Sequence, residues 1–324
     1  MSRTIAVADI GGTNARFAIA MVDGGRVTKL GEPVTMGTAD HASFQLAWQA
    51  FAAANPGTEP DGIGIAFAGP VGGELLKLTN NPWVIRPTLI PEKLGMKSFV
   101  VINDFGAVGH AVANLGDDQF EHLCGPEGPF SDAGVTSIVG PGTGLGVAQL
   151  LRTAGSYRVI ETEGGHMDFA PLDTIEDQIV TYLRRTLRRI SLERIASGGG
   201  FDNLYAALAA IEGKPVANSL DDKALWIAAL EGEDPIAVAA LDRFFLSLGA
   251  IAGDLALAHG ANAVVIAGGL GYRLRNRFAQ SGFADRFIAK GRFERRMEAI
   301  PVKLLIHPQP GLYGAAAAFA KAHP

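Results

Sequence analysis

Hydrophobic and polar positions near the start of the chain follow two different periods. Apolar runs at residues 4–8 and 15–21 flank a polar, glycine-containing segment at 9–14, which predicts two strands joined by a tight turn. Residues 25–34 predict a third strand. From residue 43 to 54 the apolar side chains recur at helical spacing instead. The chain therefore opens with three strands and a helix.

The remaining pattern alternates between the two kinds of element. Further strands are predicted at 62–68, 74–78, 99–102, 135–139, 263–267 and 301–306. Helices are predicted at 105–115, 173–189, 203–211, 222–230 and 312–322, with one long helix or two at 235–259. This alternation indicates an α/β protein, and 324 residues are enough for two domains.

The first predicted turn carries residues suited to binding an anion. Gly11 and Gly12 are expected to adopt positive φ and to leave no Cβ between the backbone N–H groups and a ligand. Thr13 adds a hydroxyl donor and Arg16 a cation. Asp9 fits such a site if a cation such as Mg²⁺ lies between it and the phosphates. On this segment alone, an ordinary hairpin with a surface aspartate is the alternative.

A second glycine turn repeats this chemistry later in the chain. Gly140-Pro-Gly-Thr-Gly-Leu-Gly-Val147 follows the predicted strand 135–139 and leads into another apolar run. Two such turns predict a duplicated fold that holds one polyphosphate from both sides. The glycine spacing fits no dinucleotide fingerprint, and no Gly-Lys-Ser or Gly-Lys-Thr occurs in the chain, which excludes a P-loop.

Polar or glycine residues also follow two other predicted strands. Asn103 and Asp104 come directly after strand 99–102, and ligands of open α/β sheets bind at the carboxyl ends of strands. The alternative is that Asp104 only caps the helix that follows. Gly268 and Gly269 follow strand 263–267 and open a helix, a suitable place for the ribose or phosphates of a nucleotide.

Two acidic segments in the second half are candidates for binding. Glu163-Gly-Gly-His166 contains metal-ligand types, but no H-E-x-x-H motif or second histidine cluster accompanies it. The glycines favour a turn from which Glu163 and His166 enter one pocket, as a polyhydroxylated ligand requires. Glu193 precedes a triple glycine, and periodicity does not decide whether it points inward or to the surface.

Charge and cysteine content exclude several classes of function. A net charge of −5 and a pI near 5.8 argue against nucleic-acid and anionic-membrane partners. The arginines at 184, 185, 188 and 189 are interpreted as the solvated face of helix 173–189. A single cysteine excludes an intrachain disulfide and a Cys-rich zinc site. No signal-peptide core or uninterrupted run of 18 apolar residues occurs, so we expect a cytoplasmic protein without a membrane partner.

Five motifs in order make the sequence resemble the bacterial ATP-dependent glucokinases of the actin-like, or ribonuclease-H-like, sugar kinase superfamily. They are Asp9-Ile-Gly-Gly-Thr-Asn-Ala-Arg16, Ile102-Asn-Asp-Phe105, Gly140-Pro-Gly-Thr-Gly-Leu-Gly-Val147, Glu163-Gly-Gly-His-Met-Asp-Phe-Ala-Pro171 and Ala267-Gly-Gly269, with Gly311-Leu-Tyr-Gly-Ala315 near the end. The resemblance covers essentially the whole chain.

The resemblance implies a fold, a reaction and a set of site residues. The fold is α/β with a small domain (1–109 plus 308–324), a large domain (110–307) and a cleft between them. The reaction is phosphorylation of the glucose 6-hydroxyl by ATP with Mg²⁺, the first step of sugar catabolism, and a homodimer is implied. Asp104 is the general base, and glucose is held by Asn103, Asp104, Glu163, His166 and Glu193. The nucleotide-binding residues implied are Asp9, Ile10, Gly11, Gly12, Thr13, Asn14, Arg16, Gly142, Thr143, Gly144, Gly268 and Gly269.

One departure and several alternatives accompany this reading. Gly199 stands where the family usually has proline, which is expected to loosen the loop after Glu193. The cysteine-rich zinc motif of the related repressor-kinase family is absent. A kinase for another hexose or an N-acetylated amino sugar stays open, as does ADP or polyphosphate as donor. A sugar-responsive regulator would need an N-terminal DNA-binding helix pair, and a filament protein would leave Glu163, His166 and Glu193 without a role.

Overall fold

The computed structural model describes residues 2–78, 81–215 and 222–324. The chain forms two compact units. The first unit consists of Met1–Gly116, Val159–Glu161 and His307–Pro324, and the second of Asp117–Arg158 and Thr162–Ile306.

The first unit contains a six-stranded sheet and the helices that cover it. Its elements up to residue 116 are β1 (Arg3–Ile10), β2 (Asn14–Asp23), β3 (Arg26–Leu30), β4 (Val34–Gly37), α1 (Phe44–Ala54), β5 (Gly62–Phe67), β6 (Leu76–Lys77), β7 (Val84–Ile85), α2 (Ile90–Leu94), β8 (Ser98–Asn103) and α3 (Asp104–Asn114). The strand order is β3-β2-β1-β5-β8, and β4 also pairs with β2.

The register of this sheet aligns the ends of its parallel strands. β1 is antiparallel to β2 and parallel to β5, with Ile10 opposite Phe67. β5 is parallel to β8, with Phe67 opposite Asn103. The first glycine turn and Asn103 therefore lie along the same edge of the sheet, where ligands of open α/β sheets bind.

Two layers of apolar side chains hold the sheet in place. On one face, aromatic rings from β2, α1 and the segment before β7 pack together: Phe17, Phe44, Trp48, Phe51 and Trp83. On the other face lie α3 and the C-terminal helix, Pro310–Ala322. This contact requires a glycine, because a Cβ on Gly314 would lie 1.7 Å from the carbonyl oxygen of Ala107.

The second unit is also a sheet with covering helices. Its elements are β9 (Phe120–Cys124), β10 (Gly134–Pro141), β11 (Leu145–Thr153), β12 (Ser156–Thr162, of which Val159–Glu161 group with the first unit), α4 (Thr174–Leu183), α5 (Gly198–Ile211), α6 (Asp222–Glu231), α7 (Pro235–His259), β13 (Ala263–Ile266), α8 (Gly268–Arg273), α9 (Phe283–Ile288), α10 (Glu294–Glu298) and β14 (Val302–Leu305). The C-terminal helix of the first unit is α11 (Pro310–Ala322).

Strand order in the second sheet repeats that of the first. The order is β12-β11-β10-β13-β14-β9. Here β10 is antiparallel to β11 and parallel to β13, and β13 is parallel to β14. Both sheets thus place a hairpin beside two further parallel strands, which confirms the duplication predicted from the two glycine turns.

Residues 235–259 form one continuous helix, α7. The Asp234 side chain accepts hydrogen bonds from the N–H groups of Ile236 and Ala237, and the helix ends at Gly260 with φ +62°. By length and composition α7 is apolar enough to cross a membrane. Most of its side chains are buried in the core of the second unit, and the buried core helix of a globular protein has the same length and composition.

Several predicted elements have different bounds in the structure. The helix predicted at 173–189 ends at Leu183, so Arg188 and Arg189 lie beyond it. The prediction that the four arginines share one face of this helix is therefore wrong. Strand 25–34 is replaced by β3 and β4, and strand 74–78 shrinks to β6. The short helices α2, α9 and α10 were not predicted, because five or six residues are too few to show a helical period.

Candidate active site

The first glycine turn is closed by a hydrogen bond from the N–H of Gly11 to the carbonyl oxygen of Asn14, at 2.9 Å. Neither Gly11 nor Gly12 has a positive φ, so that expectation is wrong. A Cβ on Gly12 would meet no atom within 4 Å. Glycine here leaves the backbone open to a ligand, and a left-handed conformation is not the reason for it.

Two residues brace this turn through its carbonyl groups. The Gly12 oxygen accepts hydrogen bonds from the Thr38 hydroxyl at 2.8 Å and from the Asn81 amide at 3.1 Å. The N–H of Thr38 donates to the Thr13 oxygen at 3.0 Å. With its carbonyls held in this way, the turn has a fixed orientation. Sequence reasoning missed Thr38 and Asn81, which lie between the longer elements and belong to no motif.

Asp9 and Arg16 form a cross-strand pair at the base of the turn. Arg16 Nη1 lies 3.2 Å from Asp9 Oδ2, and the two residues face each other in the register of β1 and β2. Burial raises the pKa of Asp9 even though Arg16 acts to lower it. The ionised carboxylate would therefore be stabilised by a further cation.

Ile10 has a different role from its polar neighbours. Its side chain is fully buried in the core, and its carbonyl oxygen accepts the N–H of Ala68 at 2.9 Å. The side chain and the carbonyl oxygen of Ile10 therefore serve the fold, and its place among the nucleotide-binding residues stays a prediction.

The start of α3 separates the roles of Asn103 and Asp104. Asn103 is the N-cap, and its side-chain oxygen accepts the N–H groups of Phe105 and Gly106 at 2.9 and 3.1 Å. Its amide nitrogen donates to the Gly69 oxygen at 3.3 Å. The alternative in which Asp104 is the cap residue is therefore wrong. Asp104 is the first residue of the helix, and its carboxylate also accepts the Phe105 N–H at 2.9 Å.

The second glycine turn closes in the same way as the first. Gly142 N–H donates to the Gly144 oxygen at 2.8 Å, and the Gly142 oxygen accepts the N–H of Gly198 at 2.8 Å. Leu145 N–H donates to Glu193 Oε2 at 3.0 Å. A Cβ on Gly144 would lie 2.3 Å from that same carboxylate oxygen. Glu193 therefore points inward, against the second turn.

Glu163 precedes a short 3₁₀ turn, Gly164–His166, which ends with His166. The turn packs against β11, because a Cβ on Gly165 would lie 2.0 Å from the Leu145 oxygen. Glu163 Oε2 and His166 Nε2 are 3.9 Å apart, with 74% and 59% of their side chains exposed. Both side chains are accessible and adjacent, as a ligand with several hydroxyl groups requires.

A short pairing of loop segments connects this turn with Glu193. Phe169 N–H donates to the Ile190 oxygen at 2.9 Å, and Leu192 N–H donates to the Met167 oxygen at 2.8 Å. Three segments that are distant in sequence meet at Leu145 as a result: its N–H binds Glu193, and its carbonyl oxygen lies against Gly165.

The Gly268 segment lies beside the second glycine turn. Ala267 N–H donates to the Val139 oxygen at 2.9 Å, so the ends of β13 and β10 are neighbours. Gly268 has φ +80°, and a Cβ there would lie 2.6 Å from the Pro141 oxygen. Gly269 faces open space at the start of α8.

Known proteins resemble the chain over its whole length. A family model described as glucokinase matches residues 6–322. The glucokinase of Zymomonas mobilis is 60% identical over 316 residues, which is 98% of this chain and 97% of that protein.

The chain belongs to the glucokinase family. A crystal structure of a glucokinase from an Antarctic psychrotroph has a TM-score of 0.86 at 34% identity and covers 98% of both chains. A ROK family glucokinase from Streptomyces griseus, solved with glucose and AMPPNP, has a TM-score of 0.63 at 21% identity and shares the fold, covering 98% of this chain and 99% of that one. The glucokinase resemblance and the actin-like α/β fold predicted from the sequence are confirmed.

Proposed function

We propose that this protein carries out the glucokinase reaction, the transfer of the γ-phosphoryl group of ATP to the 6-hydroxyl of glucose. One observation carries the proposal. In the second unit, the Leu145 backbone joins a glycine turn suited to phosphate with the acidic and histidine side chains suited to a sugar. A phosphoryl-transfer site needs both kinds of group in one network.

The nucleotide is assigned to three backbone segments. The two glycine turns supply N–H groups and hydroxyls to the phosphates through Gly12, Thr13, Asn14, Thr143 and Gly144, with Arg16 as a cation. Gly11 and Gly142 use their N–H groups to close the turns, and they contribute by placing no Cβ beside the phosphates. Gly268 and Gly269 are assigned to the adenosine. Preorganised backbone donors of this kind stabilise the charge that spreads over the phosphoryl oxygens in the transition state.

Mg²⁺ fits the residues around the first turn. Among the described residues, no group of three or more His, Cys, Asp or Glu could form an all-protein metal site. Mg²⁺ that accompanies a nucleotide is usually held by one or two carboxylates together with the phosphates. Asp9 is the residue that would hold the ion, because burial disfavours its ionised form and a bound cation would stabilise that form. The ion would neutralise charge on the phosphate oxygens.

The sugar is assigned to Asn103, Asp104, Glu163, His166 and Glu193. Carboxylates accept hydroxyl protons, and imidazole can donate or accept, so separate hydroxyls have separate partners. Asn103 keeps one amide hydrogen beyond the bond to Gly69. A site that binds hydroxyl groups in this way rejects analogues lacking one of them by about 10⁴–10⁵.

Asp104 is assigned as the general base. Its carboxylate accepts the proton of the 6-hydroxyl as that oxygen attacks the γ-phosphorus and the bond to the β-phosphate oxygen breaks, leaving ADP. Proton transfer to a positioned base typically contributes about 10²–10⁴-fold. No covalent intermediate with the protein is required, because positioning and charge stabilisation account for most of the catalysis in phosphoryl transfer.

Turnover with defined substrates tests this function. We expect glucose with ATP to be the preferred pair among glucose, mannose, fructose and N-acetylglucosamine, each with ATP, ADP or polyphosphate. Asp104→Ala should fold normally and lose at least about a hundredfold in kcat. Preference for another sugar would reassign the substrate, and near-wild-type turnover of Asp104→Ala would remove this residue from the role of base. The homodimer and the cytoplasmic location stay predictions, and sedimentation of the purified protein tests the first.

A further inference from the structure

The part of β12 that belongs to the first unit, Val159–Glu161, lies along a glycine face of α3. Gly106 and Gly109 are one helical turn apart and share that face. A Cβ on Gly109 would lie 2.6 Å from Val159 Cγ1, and one on Gly106 would lie 2.3 Å from Glu161 Oε1. The side chains of Val159 and Glu161 fit because both helix positions lack a Cβ.

The carboxylate of Glu161 also forms a hydrogen bond at the start of the helix. Asn103 N–H donates to Glu161 Oε1 at 3.0 Å. The Asn103 side chain in turn accepts the N–H groups of Phe105 and Gly106. Backbone N–H groups on both sides of Asp104 are therefore held by fixed acceptors, one of which is a carboxylate 58 positions away in the chain.

We propose that Glu161 is a positioning residue for Asp104, an inference that rests on the proposed role of Asp104 as general base. Glu161 holds the backbone at Asn103 and occupies the groove at Gly106, so the first turn of α3 keeps one orientation. In-line attack is sensitive to such placement, since a displacement of 1 Å can cost as much as about 10²-fold in rate. None of the sequence motifs includes Glu161 in this role.

Substitutions at Glu161 separate its acceptor from its bulk. Glu161→Ala removes the acceptor and should lower kcat by about tenfold, with the KM for ATP changed less than about twofold. Glu161→Gln keeps an acceptor oxygen and should stay within about threefold of wild-type kcat. Val159→Ala is the matched control: it removes a packing contact with the same helix, so we expect a lower Tm and an unchanged kcat.

A substitution on the helix approaches the same contact from the other side. The three atoms nearest to the position of a Cβ on Gly106 all belong to Glu161. Gly106→Ala should therefore displace Glu161 and lower kcat about as much as Glu161→Ala does. In the double variant, Gly106→Ala with Glu161→Ala, the added methyl group meets no carboxylate. The losses of kcat in the two single variants should therefore not add, and a double-mutant cycle measures this directly.

Steady-state kinetics of these variants, with Asp104→Ala in the same series, decide the question. Loss of kcat in Glu161→Ala with rescue in Glu161→Gln and no loss in Val159→Ala supports the positioning role. A kcat for Glu161→Ala within about twofold of wild type overturns it, and so do equal losses in Glu161→Ala and Val159→Ala. If Asp104→Ala itself keeps its turnover, the assignment of the base fails, which is a separate result from the failure of Glu161.

Discussion

The two glycine turns close alike but differ in the charge at their base. In each turn, the N–H of the first glycine bonds to a carbonyl oxygen two or three positions later. Beneath the first turn, Asp9 faces Arg16 across the hairpin. The corresponding pair beneath the second turn is Gly140 and Gly146. Of the two hairpins, the first therefore carries the charges that would interact with a metal ion and phosphates.

The turns also differ in what braces them. Thr38 and Asn81 hold the Gly12 carbonyl group, and neither belongs to the proposed sugar site. In the second turn, the acceptor of the Leu145 N–H is Glu193, which is assigned to the sugar. From this comparison we expect the first turn to serve the nucleotide alone and the second turn to connect nucleotide and sugar. Each of the following predictions tests one part of that difference.

The largest expected effect concerns the charge of the first turn. Asp9→Asn should lower turnover by about a hundredfold and raise the Mg²⁺ concentration needed for half-maximal rate, because it removes the carboxylate assigned to the ion. Initial rates across a Mg²⁺ titration measure this. Asp61→Asn is the control, since Asp61 pairs with Arg3 in the same unit. Unchanged turnover of Asp9→Asn at every Mg²⁺ concentration would contradict the assignment.

The next effect distinguishes Glu193 from Glu163, the two acidic residues of the second unit that are assigned to the sugar. Glu193→Ala should raise the KM values for both glucose and ATP, each by about tenfold, because its carboxylate also holds the Leu145 N–H. Glu163→Gln and His166→Ala should raise the KM for glucose much more than the KM for ATP. If Glu193→Ala leaves the KM for ATP unchanged, the second turn does not connect the two substrates.

A smaller effect is expected from the brace of the first turn. Thr38→Val replaces a buried hydroxyl, 3% exposed, by a methyl group of similar size. Loss of its hydrogen bond to Gly12 should raise the KM for ATP by about fivefold, which corresponds to about 1 kcal/mol, and leave the KM for glucose unchanged. Thr28→Val is the control, because that hydroxyl bonds to the Met21 oxygen in the same sheet. A parallel rise for glucose would mean that the first turn also serves the sugar.

The smallest effect concerns Gly199, where the resemblance implies a proline. Gly199 lies in the first turn of α5, where a missing N–H is tolerated, and a Cβ there would meet no atom within 4 Å. Gly199→Pro should raise the free energy of unfolding by about 0.4–1 kcal/mol through the unfolded chain, with kcat unchanged. Gly200→Ala should destabilise, since its Cβ would lie 2.5 Å from the Ile195 oxygen. Denaturant unfolding measures both changes in stability. A lower KM for glucose in Gly199→Pro would show that the native loop is loose.

Local hydrogen bonds hold the segment that leads to Gly199. The Ser197 hydroxyl donates to the backbone carbonyl oxygen of Glu193 at 2.7 Å and also accepts the Gly200 N–H at 3.0 Å. Gly198 N–H binds the Gly142 oxygen. The loosening expected from the sequence stays a prediction, but these bonds hold the segment between Glu193 and α5 at both of its ends.

The apolar pattern was reliable for a helix with a complete helical period and for a strand with a continuous apolar run. The helix over residues 43–54 corresponds to α1, Phe44–Ala54, with Ser43 as its N-cap. Strand 62–68 corresponds to β5, Gly62–Phe67, in which every residue is buried. Periodicity failed at residues 184–189, because arginine and leucine favour a helix and continue its pattern, whereas the chain ends the helix at Leu183 and pairs Ile190 with Phe169 through a backbone hydrogen bond.

By itself, the sequence determined the family, the two glycine turns and the residue types of the site, because these depend on local motifs and on spacing along the chain. Only the tertiary structure decided that Glu193 points inward, that Asn103 takes the cap in place of Asp104, and that Thr38, Asn81 and Glu161 hold the turns and the helix. Apart from the local cap at Asn103, those contacts join residues between 26 and 69 positions apart. Such pairings follow from strand register and helix packing, which no local pattern in the chain encodes.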